Sequence, residues 1–419
     1  MELKGIEYLK SKQMARKQRV LTRYKYYEMK SVKLDPSPII PDELKLNYNS
    51  VLGWCSKAVD CLADRLHFIE FDNDLLDLNQ IFRVNNPDVL FDNAILSALI
   101  SSCCFIYVQP QGQGETPRLQ VIDGGNATGE IDQTTGLLKE GYAVLQRDSE
   151  GQIVLDAYFA PGRIEVYDRQ QRDMTVYENK AEYPLLVPVI YRPDAVRPFG
   201  HSRISRACMS LQDKARHTLT RADVSAEFYS FPQRYVLGLD DDADRFSNWK
   251  QTITTFLDFR RSEDGDKAPT VGQFQQQTME PHINQLRMYA STFAAETGLT
   301  LDDMGFPTDN PSSSEAIKAA HENLRLAARK AQRNFSTGFL NAGYLAACVR
   351  DEFAYTRDVI CDEHPVWAPI FEPDMSAISL IGDGISKLTQ AAPGYMGADN
   401  LREMTGIDPS KNPFPTPTE

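Results

Sequence analysis

The residues of this chain that could carry out chemistry do not fall into a catalytic pattern. His321 and Glu322 begin the spacing of a helical zinc motif, but Arg325 stands where the second histidine ligand is required. The other histidines are scattered without ligand spacing, and no two carboxylates are placed by spacing for acid–base catalysis. The sequence also lacks the GxxxxGK(S/T) segment with which a P-loop ATPase binds phosphate. We therefore expect no enzyme, no cofactor and no bound metal.

The charge balance limits how the chain can deal with nucleic acid. Its 45 basic and 58 acidic residues give a formal net charge of -13, which is the wrong sign for a protein that grips DNA by neutralising phosphates. An acidic surface repels phosphates instead. The composition therefore argues against tight DNA binding and is compatible with a surface along which DNA slides.

Cysteine usage and hydropathy indicate a reducing, aqueous compartment. The seven cysteines are odd in number and form no CxxC pair, so neither a disulfide framework nor a zinc site is indicated. The N-terminal segment lacks the apolar core of a signal peptide, and serines interrupt the longest apolar stretch, from about residue 94 to 108. We expect a product that is made in the cytosol and is not inserted into a membrane.

Helices are predicted at the start of the chain, which at 419 residues is long enough for two or three packed units. A polar pattern with clustered tyrosines predicts a helix from Ile6 to Met29, ended by the prolines of DPSPIIP. Asn49 is expected to cap a second helix, in which apolar residues recur at three- and four-residue spacing up to Leu66. A third helix is predicted through FDNAILSALISS.

The sequence changes period between about residues 105 and 179, where turn-forming segments separate short apolar runs. The strand-like runs are FIYVQP, RLQVID, GYAVLQR, IVLDAYFA, RIEVYD and MTVYEN. Among the turns, DGGNATGE supplies glycines without the strand-turn-helix setting of a phosphate-binding loop, so a hairpin turn is expected there. This part is predicted to be an antiparallel sheet that ends at YPLLVPVIYRP.

Two further helices are predicted to flank a small insertion. Helical periodicity runs from Ile204 to Tyr229 and again from His282 to Glu296, and residues 236–279 between them have the pattern of a small α+β unit with a strand at TVGQF. Basic and acidic residues alternate along the first helix, which predicts a solvated, salt-bridged face or, alternatively, a contact between subunits. The basic positions are Arg203, Arg206, Lys214, Arg216 and Arg221.

The clearest helix is predicted after Ser312, which forms a capping-box spacing with Glu315. It extends from residue 313 to about residue 349, without proline and with many alanines. Gly338 and Gly343 are predicted kinks within it. The preceding segment, LTLDDMGFPTDNP, is predicted to be a loop, and the tail from residue 365 is expected to hold one or two short helices, around ISKLTQA and ADNLREMTG.

Five segments together resemble the portal proteins of tailed bacteriophages, in particular the SPP1-type siphophage portal family. They occur in the family's order and cover residues 47 to about 325: NYNSVLGWCSKAVDCLADRL, VPVIYRPDAVRPFGHSRIS, AEFYSFPQRYVLGL, EPHINQLRMYASTFAAETGL and NPSSSEAIKAAHENL. The resemblance is carried most specifically by FGHSRIS, YSFPQR and SSSEAIKAA.

This resemblance implies an α+β, mainly helical fold with a wing, a stem, a clip and a crown. The wing, residues 1–202, would contain the N-terminal helices and the antiparallel β-rich part. Two stem helices, 203–235 and 280–298, would flank the clip at 236–279. The remaining units would be a tunnel loop at 299–312, a long spine helix at 313–349 that runs from wing to crown, and a reduced crown with the C-terminal tail at 350–419.

The resemblance also implies a role in the virion. Identical copies, usually twelve, would form a ring at one vertex of the capsid, with a channel that passes double-stranded DNA without reading its sequence. The ring would assemble in the host cytoplasm and would meet the terminase large subunit, a head–tail adaptor, and the major capsid and scaffolding proteins. The tunnel-loop residues expected at the channel are Asp302, Asp303, Met304, Phe306, Pro307 and Asp309. The clip residues expected to dock the terminase and the adaptor are Arg260, Arg261, Glu263, Asp264 and Lys267.

Two other classes of function stay open on the sequence alone. A head–tail adaptor, or another structural connector without a DNA channel of its own, would remain monomeric until it met another ring. A hydrolase or nucleotidyl enzyme of the packaging machinery would need an inward carboxylate cluster and a divalent metal. The sequence carries no motif for such an enzyme.

Overall fold

Helices and antiparallel sheets build the part of the chain that the computed structural model describes, as the predicted α+β class requires. That part comprises residues 3–30, 50–112, 114–230, 234–237, 270–273, 278–307, 319–371, 375–398 and 400–401. The expected caps Asn49 and Ser312, together with Glu315, lie outside it.

The N-terminal part begins with helices that surround one short strand. These elements are α1 (Ile6–Tyr27), α2 (Trp54–Ala63), β1 (Phe68–Asp72), α3 (Leu78–Val84) and α4 (Pro87–Ser101). The predicted helices are confirmed, but α2 begins only after Gly53, so residues 50–52 are not part of it. The sequence does not predict α3, because its seven residues are too few to show a helical period.

The longest apolar stretch divides into a helix and a strand. After α4 the chain enters β2 (Cys103–Gln109), whose first six residues are buried. Between them, Ser102 has a φ of 88°, and the buried Ser101 hydroxyl lies 2.7 Å from the Ser97 carbonyl and 2.6 Å from that of Cys103. The serines therefore mark the change from helix to strand. No helix among the described residues is both long and apolar enough to cross a bilayer.

Seven more strands follow, and three of them coincide residue for residue with the predicted runs. They are β3 (Arg118–Asp123), β4 (Ala127–Ile131), β5 (Leu138–Arg147), β6 (Ile153–Ala160), β7 (Arg163–Asp168), β8 (Asp173–Glu178) and β9 (Leu186–Ile190). Strands β3, β2 and β9 form one antiparallel sheet in that order, and β4 to β8 form a second one as a meander. The antiparallel pairing predicted from the period is confirmed.

The DGGNATGE segment is not the hairpin turn expected from its composition. Its first half connects β3 of one sheet with β4 of the other, and its second half is β4 itself. The amide of Asn126 donates to the Asp123 carbonyl at 3.0 Å to close the turn. A Cβ at Gly124 would lie 2.3 Å from the Cys103 carbonyl oxygen, so a glycine permits the close approach of the two backbones.

Helix α1 is fixed to the five-stranded sheet by a buried carboxylate. Glu140, on β5, accepts hydrogen bonds from the backbone amides of Lys4 and Gly5, each at 3.0 Å. Tyr158, on β6, donates its hydroxyl to the same carboxylate at 3.0 Å. These bonds satisfy backbone donors at the start of the helix that have no partner within it.

Two helices and two strands follow the sheets. Helices α5 (Arg206–Ser230) and α6 (Glu280–Thr297) lie near the predicted bounds, and the short strands β10 (Arg234–Leu237) and β11 (Thr270–Gln273) lie between them in sequence. Strand β11 corresponds to the predicted TVGQF strand. The short helix predicted around residue 250 lies outside the described residues.

Helix α7 (Glu322–Arg350) contains 29 residues, which corresponds to a length of about 43 Å. It continues through Gly338 and Gly343, so neither glycine interrupts it. A Cβ at Gly338 would lie 3.1 Å from Val189 Cα in β9, and one at Gly343 would lie 2.9 Å from a methyl carbon of Leu78 in α3. The glycines thus allow close packing of the helix, which is a different role from the predicted kinks.

The chain returns to its N-terminal part after α7. A 3-10 turn (Arg357–Ile360) leads to β12 (His364–Trp367), which pairs antiparallel with β1, and then to α8 (Met375–Ala391), which contains the predicted ISKLTQA helix. The Phe68 ring lies 4.4 Å from Phe91, 5.7 Å from Phe339 and 5.4 Å from Trp367, measured between centroids. One aromatic core therefore joins distant parts of the sequence.

Candidate channel segment and docking segments

Helices α5 and α6 run antiparallel to each other and form a hairpin. Hydrogen bonds pair increasing positions from Ser205 through α5 with decreasing positions along α6. The pairs are Ser205 with Glu296 (3.1 Å), Thr218 with Gln285 (3.3 Å) and Ser225 with His282 (3.3 Å). At the far end of the hairpin β10 pairs antiparallel with β11, with Arg234 opposite Gln273. The chain therefore passes from α5 into β10 and returns through β11 to α6, and the two strands form one antiparallel ladder.

Arg203 holds the base of this hairpin to the body of the molecule. Its side chain is only 8% exposed. The guanidinium donates to the Ala58 carbonyl in α2 at 3.2 Å and to the Thr297 carbonyl at the end of α6, while the backbone amide donates to the Leu99 carbonyl in α4 at 2.8 Å. A helix leaves its last carbonyls without internal partners, so the arginine satisfies one of them and joins α6 to α2.

Arg216 makes a second buried connection along α5. It is 3% exposed, donates to the Ser50 carbonyl at 3.0 Å and lies 3.9 Å from the Asp213 carboxylate. The hydroxyl of Tyr26 in α1 donates to the other oxygen of Asp213 at 2.6 Å. Burial and this hydrogen bond raise the pKa of Tyr26 well above its usual range, so the tyrosine stays a donor at neutral pH.

The solvated face predicted along α5 is therefore wrong at Arg203 and Arg216, whereas Arg206, Lys214 and Arg221 are exposed as that prediction requires. An alternation of charges cannot distinguish an arginine that faces water from one that faces a buried carbonyl. The sequence did offer one indication that these arginines are buried, which is the apolar residue beside each of them. Ile204 adjoins Arg203 and Ala215 adjoins Arg216, and both are themselves buried.

The segment after α6 folds into a compact turn, as its composition predicts. The Asp303 carboxylate accepts hydrogen bonds from the amide and the hydroxyl of Thr300 at 2.9 and 2.8 Å. Met304 is only 8% exposed and belongs to the core of the chain, and Phe306 packs against that core. Asp302 and Pro307 are exposed. Two of the side chains expected at the channel thus hold the segment to the body, and two others face solvent.

The start of α7 lies beside this turn. His321 Nδ1 lies 3.7 Å from the Asp303 carboxylate. One turn along the helix, Arg325 donates two hydrogen bonds to Glu322, at 2.7 and 2.6 Å, and lowers the pKa of that carboxyl. The residues that resembled a zinc motif are thus engaged in a surface ion pair. Among the described residues, no group of three or more histidines, cysteines or acidic residues is placed to hold a metal ion.

The remaining residues expected at functional positions lie outside the described residues. They are Asp309 of the tunnel loop and Arg260, Arg261, Glu263, Asp264 and Lys267 of the clip. The hairpin, the 299–307 turn and the start of α7 are the described elements that would position them.

The sequence from residue 6 to residue 358 matches the family described as "Phage portal protein, SPP1 Gp6-like". The chain belongs to this family. The match runs from α1 to the 3-10 turn and so includes the hairpin and the turn at 299–307, and it confirms the family expected from the sequence motifs. Portal proteins of this family are structural proteins of bacteriophage virions.

Two curated portal proteins are similar in sequence to this portal-family chain. That of Mycobacterium phage L5 is 25% identical over 289 residues, and that of Mycobacterium phage D29 is 25% identical over 290 residues. Each match covers 65% of this chain and 60% of the relative. The chain therefore spans about 60% of the length of these relatives.

Solved structures with some likeness to this portal-family chain come from gene transfer agent (GTA) particles. The "Neck of native GTA particle computed with C12 symmetry" has 14% identity and a TM-score of 0.45, covering 93% of this chain and 100% of that chain. The "Virion of native gene transfer agent (GTA) particle" has 13% identity and a TM-score of 0.49, with the same coverage.

Proposed function

We propose that copies of this portal-family chain close into a ring whose central channel passes double-stranded DNA into and out of a phage capsid. The observation that carries this proposal is the α5–α6 hairpin, which is held to the body by Arg203 and continues at its far end into the β10–β11 ladder. Stiff hairpins that stand side by side can line a channel. Head-to-tail contacts between identical copies generate a closed ring when the rotation between them closes, and twelve copies is the number that the family resemblance implies.

In this arrangement the wing is residues 1–202, and the stem consists of 203–235 and 280–298. The clip is the insertion at 236–279, which begins within β10 and contains β11. The spine is 313–349, and the tunnel loop at 299–312 precedes it. The reduced crown and the C-terminal tail are 350–419, and β12 within this part pairs with β1 of the wing.

The channel lining proposed here includes Asp302 and Pro307, which are exposed in the single chain, and Asp309. B-DNA carries about one negative charge per 1.7 Å of axis, so an acidic constriction repels it and reduces adhesion. Asp303, Met304 and Phe306 position the segment through their contacts with Thr300 and the core. The lining works by shape and repulsion and needs no catalytic group.

The clip is the proposed docking surface for the terminase large subunit during packaging and for a head–tail adaptor afterwards. Its described residues in β10 and β11 lie at the end of the hairpin that is furthest from the Arg203 connection. The wing is the proposed contact with the major capsid and scaffolding proteins. Charged side chains proposed for the clip surface are Arg260, Arg261, Glu263, Asp264 and Lys267.

Negative-stain electron microscopy of the purified chain tests the ring. We expect particles with cyclic symmetry and a central hole that do not retain duplex DNA at moderate salt. A chain that stays monomeric and assembles only on another ring is instead an adaptor. Solid particles, or rings that hold duplex firmly, contradict the proposal.

The channel lining is tested by Asp302→Lys, which adds a positive charge without removing an apolar anchor. Rings of this variant should form and should retain duplex at low salt, because lysine binds phosphate, and should release it as salt rises. Genome packaging should slow. Glu150→Lys, at the exposed β5–β6 turn, makes the same charge change elsewhere and should package normally. Equal packaging by both variants contradicts the assignment of the loop.

Docking at the clip is tested by replacing residues 260–267 with a glycine–serine segment of equal length. Ring assembly should persist, whereas binding of the terminase large subunit should be lost first. Normal packaging by this variant contradicts the proposed clip boundaries.

A further inference from the structure

Arginine side chains surround a pocket of about 640 Å³ between α1 and the segment that leads into α5. We call it the arginine pocket. The arginines that line it are Arg16, Arg19, Arg23, Arg197 and Arg206, and His201 lines it beside them. None of the described residues that line it is an aspartate or a glutamate. In a chain with a net charge of -13, this local excess of positive charge is opposite in sign to the whole.

The deeper arginines are fixed in place by contacts that leave their charge without a counter-ion. The Arg16 guanidinium lies 5.1 Å from the centre of the Phe199 ring and donates from Nη2 to the Cys103 sulfur at 3.0 Å, while its buried Nη1 has no hydrogen-bond partner among the described residues. Arg23 donates to the Ser101 carbonyl at 3.0 Å. These partners are uncharged, so they orient the guanidinium groups without neutralising them.

The neighbouring positive charges oppose one another. Burial, and then the charges of Arg16 and Arg19, lower the pKa of Arg23 to about 10. At the mouth of the pocket, Arg19 and Arg206 are exposed, and neither makes a hydrogen bond or an ion pair through its side chain with the described residues. Bringing like charges together costs free energy that an anion bound between them would recover. The arrangement is therefore incomplete without a negative partner.

Two carboxylates stand near the rim, and both already have partners. Asp194 contacts His201 at 2.6 Å and accepts the backbone amides of Val196 and Arg197. Glu296, in α6, accepts the Ser205 hydroxyl at 3.1 Å. Neither lines the pocket, so the mouth keeps its capacity for an anion from outside the chain.

The wall of the pocket is the FGHSRIS segment that helped to identify the family. Gly200 has a φ of +71°, and a Cβ there would lie 2.1 Å from the Tyr191 carbonyl oxygen. The His201 amide donates to the same carbonyl at 3.0 Å, and the Ser202 hydroxyl donates to the Ile100 carbonyl at 2.6 Å. The wall is thus tied to the ends of β9 and α4, and the pocket exists before any ligand binds.

We propose that the arginine pocket receives a carboxylate-bearing segment of the neighbouring copy and so forms part of the contact that closes the ring. This inference rests on the proposed function, because it needs copies that stand side by side. Copies with a net charge of -13 repel one another, and a cationic site that faces acidic groups of the next copy would offset part of this repulsion. Arginine suits such a site because its planar group binds carboxylates in pairs of hydrogen bonds. A concave pocket also fits side chains of a protein segment better than the convex surface of a duplex.

The test uses the full chain and reverses the two exposed charges in Arg19→Glu/Arg206→Glu. The matched control, Arg83→Glu/Arg118→Glu, makes the same charge change at exposed arginines that do not line the pocket. Native mass spectrometry and electron microscopy over a protein dilution series then give the concentration at which rings form. We expect the pocket variant to need at least about tenfold more protein than wild type or control, as for the loss of one close interfacial charge pair. Thermal melting shows whether the charge-reversed variant is still folded. If the melting temperature of Arg19→Glu/Arg206→Glu falls below that of wild type, Arg19→Ala/Arg206→Ala is used in its place.

A photo-crosslinker in place of Thr22, which lines the pocket, identifies the occupant. Crosslinks to an acidic peptide of a second copy support the proposal. If wild type forms rings and the pocket variant assembles equally well, the arginine pocket is not part of the contact, although the ring remains. If wild type forms no ring, both proposals fail. Crosslinks to added duplex DNA rather than to protein would assign the pocket to nucleic acid and overturn the inference.

Discussion

Replacing Arg203 with methionine should loosen the base of the α5–α6 hairpin. Methionine fills similar space but cannot donate to the carbonyls of Ala58 and Thr297, which receive the two guanidinium hydrogen bonds. The backbone bond from residue 203 to Leu99 is kept. The variant therefore removes the side-chain connection between α2 and α6 and leaves the main-chain connection to α4.

The size of the effect follows from the two bonds. A hydrogen bond to a charged group contributes about 1.5–3 kcal/mol, and the Thr297 carbonyl, which lies at the end of α6, would be left without this partner at a cost of about 1–3 kcal/mol. Removing the buried charge recovers part of its desolvation cost. We therefore expect a net loss of about 3 kcal/mol, which corresponds to a roughly hundredfold change in an opening equilibrium.

Hydrogen exchange measured by mass spectrometry locates that loss. Amides near the start of α5 and the end of α6 should exchange roughly a hundredfold faster in Arg203→Met, and those in β5 to β7 should change little. Arg221→Met, at an exposed arginine of α5, the helix that follows Arg203, is the matched control and should behave as wild type. Unchanged exchange at the hairpin base in Arg203→Met would refute the idea that this side chain holds it.

Three further predictions concern the body of the molecule. Gly338→Ala should lower the free energy of unfolding, measured by urea denaturation, by about 1 kcal/mol, because overpacking against β9 costs about 1–3 kcal/mol and the better helix propensity of alanine offsets about 1 kcal/mol. The matched change Gly382→Ala, at a glycine whose added Cβ would meet nothing within 4 Å, should only raise the helicity measured by circular dichroism. Equal losses of stability in the two variants would contradict this. Glu140→Gln should weaken the attachment of the start of α1 to β5 by about 1–2 kcal/mol, which should be seen as faster hydrogen exchange of the amides of residues 6–10. Unchanged exchange of these amides would argue against the contact. Burial, and then the charge of Asp74, raise the pKa of Glu363 from 4.5 to about 7. The protonated form of Glu363 is therefore favoured in the folded chain. Its contribution to the free energy of unfolding is fully present below about pH 4.5 and is lost as the pH rises through about 7. The urea midpoint of Glu363→Gln should therefore rise relative to that of wild type as the pH increases from about 5 to about 8. If the two midpoints change with pH in parallel, the assignment is contradicted.

Local patterns predicted much of the fold because the physics behind them is local. The strands at 118–123, 153–160 and 163–168 alternate between turn-forming segments, and their bounds were predicted to the residue. The pairing of β1 with β12 was not predicted, because its partners lie almost 300 positions apart and neither four- nor five-residue strand carries a strong period.

The candidate site was harder to predict than the elements that carry it. Met304 lies in a polar loop, where an apolar side chain suggests contact with a ligand as readily as contact with the core, and the structure places it in the core. The buried arginines are a similar case, because their partners are carbonyls of residues distant in sequence, which no charge pattern displays. The family motifs located the hairpin and the loop, but they did not indicate which of their side chains face inward.

The burial of arginine affects how the net charge is distributed. Arg203 and Arg216 face carbonyls inside the molecule, and the arginine pocket concentrates further positive charge in one concave place. The positive charge available to a passing polyanion is therefore smaller than the count of basic residues suggests. In the proposed ring this arrangement separates two needs that conflict on a uniform surface, since DNA must not adhere to the lining while identical acidic copies must adhere to one another. Positive charge that is confined to the contact between copies can meet the second need without compromising the first.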